Sequence, residues 1–235
     1  MVWGFTLLEL LIVISIIGIL AGITLVSYPS VVKKAKLANA IKFSDNVRGS
    51  LQPDMVAWWK FDETVGTIAK DTWWNELHGT VYGGATWVEG IKGNALSFDG
   101  VNDYVSIGNL GSFYSNGTIS FWMNPFVVEN YRNPFTTKYN GGNSGIRFEE
   151  NSAGTFGVVI GNDAGIYTAH NYLSLGLSTN IWYYVVLTWD ATSNTTAGYL
   201  NGIQKFNEAH TLWPTTIPNV AIGVGYSTAR FWKGL

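Results

Sequence analysis

From Phe5 to Tyr28 the chain is apolar at nearly every position, and Glu9 is its one charged side chain there. At ~1.5 Å per residue a helix over this stretch is roughly 36 Å long, enough to cross a hydrocarbon core of ~30 Å. Glu9 is the anomaly. A carboxylate in such a helix is costly in lipid and is kept where something pairs with it. The run itself offers Glu9 no partner, so the pattern predicts one from another chain. Further on, Val31, Ala35, Ala38 and Ile41 recur at helical spacing with Lys33, Lys34, Lys36 and Lys42 between them. This predicts an amphipathic continuation to about Arg48, ended by Gly49 and bent or loosened at Pro29, which lacks a backbone donor.

The period changes after Met55. Short alternating runs separated by Gly, Asn and Asp predict strands at Ala57–Phe61, Asn94–Phe98, Tyr104–Ile107, Thr118–Met123, Phe156–Ile160, Ile181–Trp189 and Val220–Val224. Many short strands at regular spacing imply an all-β antiparallel sandwich or jelly roll. In Thr118–Asn124 the residues Ile119, Phe121 and Met123 share one face. Ile181–Trp189 is apolar on both faces, as a central strand covered on each side would be.

Charge follows the same division. Residues 1–50 carry a formal +3 and residues 51–235 carry −5, with ten of the eleven tryptophans in the second part. The chain has no cysteine, which excludes disulfides, thiolate metal sites and a cysteine nucleophile. The acidic second part, with no evident basic patch, argues against nucleic-acid binding. Asn116-Gly-Thr and Asn194-Thr-Thr match the N-glycosylation pattern, which arises readily by chance in such a chain.

A secretory signal peptide is a poor match, because the apolar run exceeds ~7–15 residues and no Ala-x-Ala-like site ends it. The sequence GFTLLELLIVISIIGILAGI instead closely resembles the N-terminal signature of type IV prepilins and pseudopilins. That resemblance implies cleavage by a prepilin peptidase between Gly4 and Phe5, and N-methylation of the new Phe5 terminus. It also implies pairing of Glu9 with the terminal amine of a neighbouring subunit. The subunit would reside in a bacterial inner membrane before assembly into a pilus or pseudopilus, its head on the extracytoplasmic side. Residues 1–4 would be the leader, 5–50 the pilin-type helix and 51–235 the head. An interchain acid–amine pair would offset the desolvation of Glu9 and set the stagger of subunits. The leader Met-Val-Trp-Gly has no Lys or Arg, and the positive-inside rule alone would put Lys33–Lys42 in the cytoplasm. The expectation is therefore that the true leader begins upstream.

The head resembles the laminin-G-like (concanavalin-A-like) jelly-roll family through an ordered series of phrases. These are WWKFDE at 58–63, Asp71, HGT at 78–80, GNALSFDGVNDYV at 93–105, TISFWMNP at 118–125, WYYVVLTWD at 182–190, YLNG at 199–202 and RFWKGL at 230–235. The resemblance implies two packed antiparallel sheets, often one calcium ion, and carbohydrate or protein binding without catalysis. It also implies a closing strand that continues from the last phrase, beyond Leu235. Without that strand an edge would be unpaired beside Ala57–Phe61.

For calcium, which takes 6–8 oxygen ligands, the resemblance points to Glu63, Asp71 and Asn75. They read equally well as solvated loop residues. Asp99-Gly100 and Asn102-Asp103 read as turn formers. Among the aromatics, Trp59, Phe61, Phe98, Phe121 and Trp189 fit inward positions. Trp73, Trp74, Trp213 and Tyr114 fall in loops, where ligand contacts are usually carried. Glycosidase chemistry needs two convergent carboxylates. Asp62–Glu63 and Glu149–Glu150 are adjacent, hence on opposite faces if extended, and His78, His170 and His210 read as isolated. The reading is a pilin-like subunit that displays a binding head for adhesion or secretion. The alternatives are a tethered lectin-like module that does not polymerise and, third, a glycan-active enzyme.

Overall fold

The computed structural model describes residues 4–129, 131–139, 143–150, 155–173, 177–225, 227 and 230–235, with no side-chain description for 21–30. Helix α1 runs from Leu7 to Leu51 and is followed by a 3-10 turn at Gln52–Asp54. It passes through Gly49; the break comes at Pro53, which cannot donate the next backbone bond. The helix is continuous through position 29, and any bend caused by the Pro29 ring lies outside the described side chains.

The strands are β1 (Ile68–Ala69), β2 (Gly79–Tyr82), β3 (Thr86–Glu89), β4 (Asn94–Asp99), β5 (Tyr104–Gly108), β6 (Gly111–Ser112), β7 (Asn116–Met123), β8 (Phe135–Thr136) and β9 (Gly145–Glu150). They continue with β10 (Phe156–Gly161), β11 (Tyr167–Leu173), β12 (Tyr183–Asp190), β13 (Thr195–Leu200), β14 (Ile203–Ala209), β15 (Thr216–Ile217), β16 (Val220–Ile222) and β17 (Lys233–Gly234). Among the described residues one sheet has the order β1-β2-β5-β16-β8-β9-β10-β11 and faces a second of order β14-β13-β12-β7. All their pairings are antiparallel. The expected strand at Ala57–Phe61 does not form. Only an isolated bridge, Trp59 to Asp71, marks that segment, and Phe61 has a positive φ of 59°. Residues 233–235 lie between two elements: β17 pairs with β4, and Leu235 exchanges both backbone bonds with Asn124, just past β7.

The core sits between the sheets. Val105, Ile146, Phe148, Val158 and Ile160 face Met123, Val185, Leu187, Trp189 and Leu200. Of the aromatics expected inside, Phe98 and Trp189 are buried there, and Phe61 and Phe121 pack against its border. Trp59 stays half-buried in the loops, donating its indole N–H to Leu77 O. Gly198 of β13 is a packing requirement: a Cβ on it would lie 2.1 Å from the Phe206 ring.

The outer face of β12 is covered by α1, which explains the strand's two apolar faces. Ala40 is buried there, with Leu37, Ile41, Phe43 and Val47 half-buried, whereas Val31, Ala35 and Ala38 of the expected stripe are exposed. The covered face is centred on small Ala40 and large Phe43. The Phe43 ring meets Tyr184 edge-on at 6.0 Å and Tyr199 at 6.2 Å. The same ring closes on the turn at Asn201–Gly202, where Gly202 has φ +83°. Asp45 bridges Arg48 of the helix and Lys92 of the head at 3.4 and 3.0 Å. Arg48 and Lys60 both lie over the Trp58 ring.

Candidate functional site

The N-terminal end of α1 combines the Gly4-Phe5 junction, a charged residue and an uncovered apolar surface. Gly4 and Phe5 precede the helix, and Phe5 is 82% exposed. From Leu7 to Leu20 the large apolar side chains all remain exposed. The partner that the sequence did not offer Glu9 is Thr6, the helix N-cap. Thr6 N and Oγ1 donate to Glu9 Oε2 at 2.9 and 2.8 Å, and Glu9 N donates to Thr6 Oγ1 at 3.3 Å. This is a capping box, which satisfies donors the helix end leaves open. Glu9 is thus solvent-exposed in the single chain, held at the tip by its own cap. Thr-x-x-Glu, read as Thr6 and Glu9, was the available signal. Among the described residues no helix is long and apolar enough to cross a membrane. The run expected to do so continues into 21–30, whose side chains are not described.

In the head, Asp71 is buried and organises its loop. Its Oδ1 accepts from Trp58 N at 2.8 Å and Trp73 N at 2.9 Å, and its Oδ2 from Leu77 N at 3.2 Å. His78 Nδ1 accepts from Asp71 N. Asn75 turns its amide to Val56 O, and Glu63 Oε1 accepts from Lys70 N while its Oε2 is buried without a hydrogen bond. Among the described residues no three His, Cys, Asp or Glu side chains are grouped to hold a metal ion. Both Asp71 oxygens accept from backbone donors, so Asp71 holds the loop together whatever else it meets. Asp99 closes the turn expected of it, accepting from Val101 N at 2.7 Å.

That loop projects two aromatics beside the end of α1. Trp73 and Trp74 meet edge-on at 6.2 Å and, with Gly49, Gln52 and Pro53, line an open hollow of about 380 Å³. Trp74 is 79% exposed. Tyr114 is also exposed, but Trp213 is half-buried, stacked on Phe113 at 5.9 Å and against His210 at 4.5 Å. The loop tryptophans thus come together at one hollow, with Trp213 and Tyr114 elsewhere.

The adjacent acids of β9 do point to opposite faces. Glu149 Oε2 accepts from Arg147 at 3.0 Å and Arg230 at 2.9 Å, so two guanidinium groups neutralise it. Glu150 turns inward, accepting from Glu129 N and Leu177 N, and burial raises its pKa. The histidines are not all isolated. His170 Nδ1 lies 2.6 Å from Glu208 Oε2, and His170 Nε2 lies 3.2 Å from His210 Nδ1. The missed signal was Glu208-x-His210: alternate residues share a face, here the one that turns Phe206 inward.

A family model described as the prokaryotic N-terminal methylation motif matches residues 4–25, and one described as the concanavalin A-like lectin/glucanases superfamily matches residues 99–235. A fimbrial protein of Moraxella nonliquefaciens is 46% identical over 48 residues, 20% of this chain and 31% of that protein. The chain therefore spans under a third of that curated relative. Domain 4 of AbnA, a GH43 extracellular arabinanase from Geobacillus stearothermophilus, was solved with arabinotriose and superposes with a TM-score of 0.54 at 16% identity, over 66% of this chain and 78% of its own. The receptor binding domain of a botulinum neurotoxin C/D mosaic serotype superposes with a TM-score of 0.51 at 17% identity, over 68% of this chain and 41% of its own. At such identities the likeness is one of fold. With a two-sheet head, an N-terminal helix and both family models in agreement, the chain belongs to the concanavalin A-like lectin/glucanases superfamily and carries a type IV prepilin methylation motif at its N-terminus.

Proposed function

We propose that the chain is a pilin-like subunit whose helix enters a filament and whose lectin-like head is displayed to bind carbohydrate. One observation carries the reading: α1 is divided. Its last third is docked on the head, whereas Phe5 to Leu20 presents large apolar side chains with no cover. An apolar surface of that extent on one chain calls for lipid or other protein as its surroundings. In this reading a prepilin peptidase cuts before Phe5, the membrane holds the helix, and neighbouring helices replace the lipid on assembly.

The hollow beside Trp73 and Trp74 is the proposed sugar contact, since flat, exposed rings suit the faces of pyranose or furanose rings. The arabinotriose bound by the arabinanase domain supports a glycan as ligand class. The head is a binding module in this reading, because Glu149 is neutralised by two arginines and Glu150 is engaged by backbone donors. Its loop is held by Asp71 hydrogen bonds rather than by calcium. The test is a glycan array probed with the full chain in detergent micelles. Wild type should bind a set of oligosaccharides and Trp74→Ala should lose them with its thermal midpoint unchanged. Equal binding by the variant would remove the hollow from the account.

A further inference from the structure

The polar chain Glu208–His170–His210 lies where two sheet edges meet. β11 is a terminal strand of the larger sheet and β14 a terminal strand of the smaller, and no backbone ladder joins them among the described residues. His170 and His210 are each only 2% exposed, whereas the Glu208 side chain is 54% exposed, so a buried pair reaches water through one carboxylate. The Phe206 ring stacks on His170 at 5.2 Å, and the Trp213 ring closes over His210. The titratable groups in contact with the pair, among the described residues, are the two imidazoles and Glu208.

Donors and acceptors along this chain can be counted. His210 Nε2 lies 3.1 Å from Leu212 O, which can only accept, so that nitrogen carries a proton. If His210 is neutral, its Nδ1 is bare, and His170 Nε2 must bring the proton between the rings. If His170 is also neutral, its Nδ1 is then bare and faces a carboxylate across 2.6 Å. One more proton is needed, on His170, on His210 or on Glu208. Each of these placements gives every contact one donor and one acceptor, and each keeps a proton between His170 Nε2 and His210 Nδ1. With that proton absent, two lone pairs face each other somewhere in the chain. With both rings cationic, two N–H groups do. Burial holds the His210 pKa below its ordinary value, with the neighbouring His170 adding to the effect, so the doubly charged pair is disfavoured.

We propose that Glu208, His170 and His210 form a proton-counting clasp between β11 and β14, closed when the three groups share the full set of protons and loosened when one is lost. Loosening frees the seam and the rings of Phe206 and Trp213 that seal it. Glu208→Gln separates this from an ordinary ion pair. A glutamine amide can donate to His170 Nδ1, which completes the chain with both imidazoles neutral. The experiment is hydrogen exchange of the full chain in detergent micelles, corrected for intrinsic rates, from about pH 6 to about pH 9, a span that starts near the ordinary histidine pKa. In wild type, protection of β11 and β14 should fall about tenfold relative to β12 as pH rises, a change of ~1.4 kcal/mol, and Glu208→Gln should hold its protection. Loss of protection in the variant at the same pH, or at every pH as a lost ion pair would give, overturns the proposal. So does a wild-type seam indifferent to pH. Independently, nitrogen NMR of wild-type histidines at about pH 6 should show a proton between the two rings, and bare nitrogens at both ends of that contact would overturn it.

Discussion

Replacing Phe43 with alanine tests how α1 is fixed to the head. Truncating a fully buried phenylalanine costs about 3–5 kcal/mol. Phe43 is half-buried, which scales this to about 2 kcal/mol, and its contacts with Tyr184 and Tyr199 add about 0.5–1 kcal/mol. The Asp45–Lys92 pair is exposed and contributes little. A loss of about 2–3 kcal/mol shifts the docked–undocked equilibrium roughly 30- to 150-fold. Trypsin reads that shift through Lys42, within the docked segment, and Arg48, at its end. When reclosing is fast, cleavage follows the open population. Cleavage at Lys42 and Arg48 should therefore rise by that factor in Phe43→Ala, while exposed Lys33 serves as an internal reference. Val31→Ala, on an exposed side chain, should change neither rate. Unchanged cleavage in Phe43→Ala would refute the docking argument.

Three further outcomes follow from the buried acids and the loop that Asp71 holds. The raised pKa of Glu150 means the fold favours its protonated form. Its contribution is complete below the unfolded carboxylate pKa of ~4.3 and is lost as pH rises through the folded value. In thermal melts, wild type should therefore gain on Glu150→Gln as pH is lowered toward that range; a gap independent of pH would contradict the assignment. Asp71→Ala should cost about 3 kcal/mol or more, since it strands three backbone N–H groups. A chelator should leave the wild-type midpoint unmoved, and a fall on chelation would mean a cation on that loop.

Much of this was legible because period and turn chemistry are local. The alternation in Asn94–Phe98, Tyr104–Ile107 and Thr118–Met123 named strands that form within two residues of the expected bounds. Ala57–Phe61 has the same alternation but no ladder partner, so its side-chain pattern did not suffice. The helix stripe was misplaced because Val31, Ala35 and Ala38 satisfy the period equally well; only the shape of the sheet selects Leu37, Ala40 and Phe43. The Trp73–Trp74 pair was visible as two loop aromatics. The contact of His170 with Glu208 and His210 was not, since it joins residues about forty positions apart through the meeting of two sheet edges.

The central claim, that the uncovered helix assembles through Glu9, is tested most directly by Glu9→Gln. Because a capping box accepts glutamine, this variant keeps the bonds to Thr6 while removing the charge an amine would pair with. Alanine removes both at once. Sheared filament counts in the producing cells, alongside the membrane level of the unassembled subunit, give the readout. The account predicts that Glu9→Gln abolishes filaments while the subunit accumulates with its head folded. Normal filament numbers in Glu9→Gln, or no filaments from wild type, would contradict it and leave a tethered binding module.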